Sequence, residues 1–174
     1  EWGEPIKKRV WQRVVRDKIA HQARLLNARA SELEGEMLAR LVDEVRSGDT
    51  TNREAHAARI YFRALFGPNF SRDDDVPVNA ALNYGYGILL SAVNREIVAR
   101  GYLTQCGICH RSEFNQFNLS CDLMEPFRPI VDRLVFDNIV GDFTKDDKYL
   151  LVDMLNHRVP FPDGSFHICL VIGL

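Results

Sequence analysis

The stretch IKKRVWQRVVRDKIAHQARLLNARASELEGEMLARLVDEVR, residues 6–46, decides the fold class. Val10, Val14, Ile19, Leu25, Leu26, Leu33, Met37, Leu38 and Leu41 recur at spacings near three and four, with glycine only at Gly35. That period predicts a helix over the whole stretch. Gly48-Asp49-Thr50-Thr51 breaks it, and Thr51-Asn52-Arg53-Glu54 then has the form of a capping box, predicting a second helix that runs to Phe66 before Gly67-Pro68. Residues 69–77, with three successive aspartates, read as a loop. Pro77 suits a helix start, and a long, mostly apolar helix follows from Val78 to Arg100, closed by Gly101. Gly85 and Gly87 inside it each cost about 1 kcal/mol relative to alanine at an exposed position, which predicts close helix packing there. A polar loop over 105–118 leads to a helix from Ser120 to Val135, with Pro126 required near its first turn, and Lys145 to Asn156 forms a short helix. Pro162-Asp163-Gly164 between apolar runs predicts a β-hairpin over 158–174. The expected fold is mainly α, a single helical lobe over residues 1–174 with a short C-terminal β-hairpin.

A chain of 174 residues, 46% apolar and 26% charged, is long enough for one domain with its own core and is neither disordered nor fibrous. The longest apolar run, Ile168 to Leu174, has seven residues, far short of the ~20 that span a bilayer, and no charged-then-apolar leader opens the chain. The chain starts at Glu1 and stops at Leu174 inside a run with strand character, which predicts a fragment of a longer protein. The net charge of −2 argues against a uniformly basic nucleic-acid binder. Its distribution is uneven: residues 1–30 hold eight basic against three acidic residues, and 121–154 hold eight acidic against four basic. A basic face beside an acidic pocket suits a protein that grips phosphates and holds a metal ion, while two ordinary solvated helix surfaces would look the same.

Glu54 heads a helical stripe of Ala58, Tyr61 and Leu65, so its carboxylate stands on the apolar face and wants a partner such as a cation; a capping role also explains it. Asp122 and Glu125 lie three apart, on one face of a helix, as a ligand pair or as acids stabilising a helix N-terminus. His110 precedes Glu125 by fifteen residues in a polar loop, and His21, His56, His157 and His167 have no comparable acidic neighbours. Cys106-Gly107-Ile108-Cys109-His110 matches the C-x-x-C-H haem-attachment pattern, and with Cys121 it can be drawn as a zinc site. Cys121 lacks a paired cysteine and Cys169 is distant, so reduced thiols are the simplest reading. From the residues alone three classes stay open: a metal-dependent enzyme, a haem-binding electron-transfer module, and a non-catalytic helical interaction domain.

Residues 107–111 (GICHR), 114–119 (FNQFNL) and 122–129 (DLMEPFRP), together with Asn52-Arg53-Glu54-Ala55, Leu82-Asn83-Tyr84-Gly85-Tyr86 and the basic opening Lys7 to Leu26, closely resemble the "Cas-one" family of CRISPR-associated integrases, in particular its type II branch. The resemblance spans nearly the whole chain in the family's order. It implies that Glu54, His110 and Glu125, fifty-six and fifteen residues apart, are catalytic residues and ligands of Mn²⁺ or Mg²⁺, with Asp122 where relatives often place another acid. It implies an endonuclease and integrase that joins the 3′-hydroxyl ends of protospacer DNA into a CRISPR array by transesterification. Lys7, Lys8, Arg9, Arg13, Arg16, Arg53, Arg59 and Arg111 become candidates for DNA phosphate contacts. The implied partners are double-stranded DNA with 3′ ends, a second copy of the full-length protein, and the small "Cas-two" protein, in the prokaryotic cytoplasm and away from any membrane. An N-terminal β-sandwich domain precedes this lobe in the family. Cys106 and Cys109 are not part of the family's pattern.

Overall fold

The computed structural model describes residues 2–153. Seven α-helices follow one another among them: α1 Glu4–Arg29, α2 Glu32–Glu44, α3 Arg53–Phe66, α4 Pro77–Ala99, α5 Asn118–Met124, α6 Arg128–Asn138 and α7 Lys145–Asp153. Short 3₁₀ turns occupy Ser47–Asp49 and Glu125–Phe127.

The mainly α class stands, and the closing β-hairpin is withdrawn. The described residues contain no strand, and residues 158–174, where the Pro-Asp-Gly turn lies, are outside them. The stretch over 6–46 is two helices rather than one. Ala30 leaves helical geometry (φ −132°, ψ −65°), and both the Ala30 and Ser31 amides donate to the Leu26 carbonyl at 2.9 Å, closing α1 before Ser31 opens α2. Ser31 and Glu34 have capping-box spacing, but the Ser31 hydroxyl donates to the Glu34 carboxylate and makes no cap hydrogen bond to the backbone.

The expected helix over 120–135 is likewise divided. Pro126 and Pro129 lack amide protons, and the chain meets this by tightening into the 3₁₀ turn at Glu125–Phe127 and placing Pro129 in the first turn of α6. The last helix spans Lys145–Asp153, and the remainder of its expected length lies outside the described residues. Among the described residues no helix is long and apolar enough to cross a membrane.

Helix α1 is the spine. Trp11, Val14, Val15, Ile19, Leu25 and Leu26 are buried along it, and it packs against α2, α3, α6 and the turn at Glu125–Phe127. Helix α4 packs on α5, α6 and α7 through Ala81, Leu82, Leu89, Val93 and Ile97. Gly85 makes the α4–α6 approach possible: a Cβ there would stand 2.5 Å from Val131 Cγ1, so the expected close packing exists. Gly87 has no neighbour within 4 Å of an added Cβ, so packing does not explain it.

Candidate active site

Lys18 sits on the core face of α1, 8% exposed, at the spacing of Trp11, Val14 and Val15. A buried ammonium needs compensating charge, because desolvation is costly for an isolated ion. Two glutamates provide it. The Lys18 ammonium donates to Glu54 Oε1 at 2.7 Å and to Glu125 Oε2 at 2.5 Å. Burial works against the Lys18 charge, but Glu125 and Glu54 outweigh it and hold the ammonium above the usual lysine range. The second oxygen of Glu125 is also engaged: Arg128 Nη2 lies 2.8 Å from Oε1, and the Glu125 carboxylate is 4% exposed. Two acids and two bases thus neutralise one another in a pocket closed by α1, α3 and the start of α6.

Glu54 reaches this position because it is not a capping residue. Helix α3 begins at Arg53, with Asn52 in the left-handed region (φ 52°, ψ 45°). The Asp49 carboxylate takes the free amides of the first turn, accepting from Arg53 N at 2.8 Å and Glu54 N at 3.0 Å. The Thr51–Glu54 box is therefore not formed, and Asp49, buried at the end of the preceding 3₁₀ turn, does the capping. The Glu54 side chain is left to turn inward, as its apolar stripe predicts.

Arg128 connects the cluster to a second buried group. Its guanidinium lies 4.6 Å from the Tyr86 ring centre, and the Tyr86 hydroxyl donates to Asp132 Oδ1 while the Tyr61 hydroxyl donates to Asp132 Oδ2 at 2.8 Å. Burial pushes the Asp132 carboxyl up to about 6, against the pull of both hydroxyls and of Arg128 and Lys18. It pushes both phenols well above their ordinary value as well.

His110 is held differently. It stands on the loop between α4 and α5, its side chain about half exposed, and its Nδ1 is 2.5 Å from Asp122 Oδ1. Asp122 is fully buried and also accepts the amides of Ile108 (2.6 Å), Cys109 (2.9 Å) and His110 (3.2 Å). One carboxylate thereby gathers the loop. Gly107 is what lets the chain close on it, since a Cβ there would stand 2.1 Å from the His110 carbonyl oxygen and 2.9 Å from Asn118 Cβ. With Nδ1–H donated to Asp122, the neutral imidazole keeps its lone pair on Nε2, the arrangement that carboxylates impose on metal-ligating histidines.

The structure thus brings Glu54 and Glu125 onto one cation position and holds His110 apart from it, on the α4–α5 loop. The His110 ring meets Trp11 edge-on at 6.2 Å, and Trp11 and Lys18 lie two turns apart on the same face of α1. Cys109, next to His110, has its thiol pushed up by burial and then by Asp122 and Glu54, so the loop and the start of α3 are electrostatic neighbours. Among the described residues no three His, Cys, Asp or Glu side chains form a metal cage. Asp122 and Glu125 do not act as a pair: α5 ends between them, and each faces its own partner. Cys106 and Cys109 are exposed free thiols, and a raised Cys109 with His110 committed to Asp122 does not prepare a thiolate zinc site.

The donor chemistry fits a hard divalent ion. Two carboxylate oxygens converge on a single cation, and the His110 imidazole, on the α4–α5 loop with its Nδ1 on Asp122, does not join them in this structure. An open groove of about 540 Å³ runs past His110, lined by Lys7, Arg111, Asn115 and Asn118, and a second hollow of about 200 Å³ adds Lys8 and Trp11. The other basic candidates stand on the surface. Arg13 pairs with Asp17 (2.8 Å), Arg16 with Asp43 (2.9 Å), Arg53 with Glu44 (3.1 Å) and Arg111 with Glu4 (2.8 Å), while Arg9 and Arg59 are exposed. Exposed pairs of this kind contribute about 0–1 kcal/mol each, so a phosphate can replace the carboxylate.

Comparison with known proteins decides the family. The family described as "CRISPR associated protein Cas1" matches residues 6–153. The chain belongs to the Cas1 family. It is 44% identical over 169 residues to the CRISPR-associated endonuclease Cas1 of Neisseria meningitidis serogroup C, a match covering 94% of this chain and 56% of that protein. It is 37% identical over 91 residues to a Cas1 endonuclease of Thermus thermophilus, covering 47% and 29%. The chain therefore spans little more than half the length of the Neisseria Cas1. A solved structure titled "Partial Cas6-RT-Cas1--Cas2 complex" superposes with a TM-score of 0.74 over 88% of this chain and 58% of that one, at 21% identity, and shares its fold. In this Cas1 chain, Lys18 and Arg128, which pair with the candidate glutamates, and Asp49, which caps the helix carrying Glu54, are contacts that motif reading passes over. Lys18 was open to detection as the charged residue on α1's apolar stripe.

Proposed function

We propose that this chain is the catalytic lobe of a CRISPR-associated DNA endonuclease and integrase, in which Glu54, His110 and Glu125 hold Mn²⁺ or Mg²⁺. The convergence of Glu54 Oε1 and Glu125 Oε2 on one cation position carries the reading. A bound ion would supply Lewis-acid polarisation of the scissile phosphodiester and stabilisation of charge on its oxygens. In the transesterification a DNA 3′-hydroxyl oxygen bonds to phosphorus as the bond to the leaving 3′ oxygen breaks. The hydroxyl proton passes to solvent, the leaving 3′ oxygen takes one from solvent to become a hydroxyl, and water in place of the attacking hydroxyl gives hydrolysis.

The chain's own groups position this chemistry. Asp122 fixes the His110 tautomer so that Nε2 presents its lone pair. Lys7, Lys8 and Arg111, beside His110, hold backbone phosphates without reading sequence, and Arg9, Arg13, Arg16, Arg53 and Arg59 extend the basic surface. Double-stranded DNA with 3′ ends, a homodimer of the full-length protein and a Cas2-type partner complete the proposal, the last supported by the solved assemblies that name Cas2.

A strand-transfer assay with Mn²⁺ on the full-length protein tests it. Glu54→Ala, His110→Ala and Glu125→Ala should each abolish joining, and full activity in Glu54→Ala or His110→Ala overturns the assignment.

A further inference from the structure

The contacts that mark a cation position also fill it. A Mg²⁺ ion bridging Glu54 Oε1 and Glu125 Oε2 would stand about 2.0–2.1 Å from each oxygen. The Lys18 nitrogen stands 2.7 and 2.5 Å from those same two atoms. Ion and ammonium therefore need one place, and their like charges forbid sharing it. Glu125 is constrained on its other side as well, because Oε1 already accepts from Arg128, whose guanidinium is itself packed over the Tyr86 ring. Lys18 is the member able to move. It carries a flexible four-carbon stem, and the Glu54 side chain it holds is 27% exposed, so the cluster opens on that side.

We propose that Lys18 is a built-in counter-ion: it holds Glu54 and Glu125 together and neutralised in the metal-free protein, and a divalent ion must displace it from between them. The inference rests on the reading of those glutamates as metal ligands. It has a directional consequence. Every binding event includes breaking two charge-assisted hydrogen bonds, so the lysine lowers metal affinity while it keeps the two facing carboxylates from repelling each other across the metal-free site.

Calorimetric Mn²⁺ titration of the full chain, on wild type, Lys18→Met, Lys18→Gln and Glu54→Gln, tests it. Either Lys18 variant should bind Mn²⁺ at least ~10-fold more tightly than wild type, with a larger rise in melting temperature on saturation. Acylation of the Lys18 amine in wild type, read by mass spectrometry, should increase when Mg²⁺ saturates the site. Lys18 variants that fold by circular dichroism yet bind Mn²⁺ no more tightly overturn the proposal. If neither variant folds, Lys18 acylation unchanged by Mg²⁺ overturns it. Mn²⁺ binding that is lost in Glu54→Gln but equal across the Lys18 series defeats this inference alone. Absence of Mn²⁺ binding in wild type and in both Lys18 variants defeats the metal-site reading with it.

Discussion

Glu54 and Glu125 stand at the first turn of α3 and in the turn before α6, in a buried cluster where every charge has an opposite partner. His110 stands on a loop, half exposed, and one buried aspartate holds both its ring and the backbone around it. The two regions divide the same proposed task by different physics. On the carboxylate side, function and stability are entangled, because each acid that would hold metal also neutralises a buried base. On the imidazole side they separate: Asp122 carries the structure, and His110 is free to carry chemistry. A mutational loss at Glu125 is therefore ambiguous, whereas a loss at His110 is not.

The largest effect expected is at the structural anchor of the loop. Asp122→Ala strands the buried Ile108 amide, takes the acceptor from the part-buried Cys109 and His110 amides and releases the imidazole, which should cost about 4 kcal/mol in urea unfolding. A cost below about 1 kcal/mol would break the claim that this side chain organises the loop. Next comes Glu125→Ala, which leaves the buried Lys18 with Glu54 alone and the partly exposed Arg128 without its carboxylate. The expected loss is about 3 kcal/mol, and a neutral outcome would mean that water reaches the cluster.

The pH dependence sharpens the picture of the buried charges. Asp132 binds its proton more tightly in the native state than in the unfolded chain, its carboxyl lying at about 6 rather than 3.8. The stability this contributes is complete below about pH 4 and is lost as pH rises through about 6. Asp132→Asn removes the titration, so the variant-minus-wild-type stability should drift in the variant's favour by about 3 kcal/mol over that window. Parallel pH profiles for the two proteins would contradict it. The smallest stability effect belongs to His110→Ala, about 1 kcal/mol or less, accompanied by loss of strand transfer. A large destabilisation there would erase the contrast between the two regions.

Much of the helical framework was legible because apolar residues repeat at the helical period, and the inward turn of Glu54 followed from the stripe it heads. The two helix divisions were missed although their signals were present, Ser31 with Glu34 in one case and Pro126 with Pro129 in the other. A sustained period outweighs a local break when only the pattern is read. The capping box failed for a related reason. Thr51 and Glu54 have the right spacing, but Asp49 reaches the same amides from a 3₁₀ turn whose Gly48 takes φ 73°, and no spacing rule specifies that turn. Asp122 and Glu125 share a face only if one helix carries both, and the proline after Glu125 ends that condition.

By itself the sequence determined which segments become helices, which residues carry charge or imidazole chemistry, and which acids and bases lie on apolar faces. The helical period states that Glu54 faces inward, since i, i+3 and i+4 positions share a side, and the same rule applied to Trp11, Val14 and Val15 puts Lys18 on the core face that the structure shows. It does not state what they meet. Lys18 is 36 residues from Glu54 and 107 from Glu125, and only the packing of α1 against α3 and the turn at Glu125–Phe127 brings the three together. Tertiary structure decided that the two proposed metal ligands share an ammonium, because a buried charge takes its partner from whatever the fold places within reach.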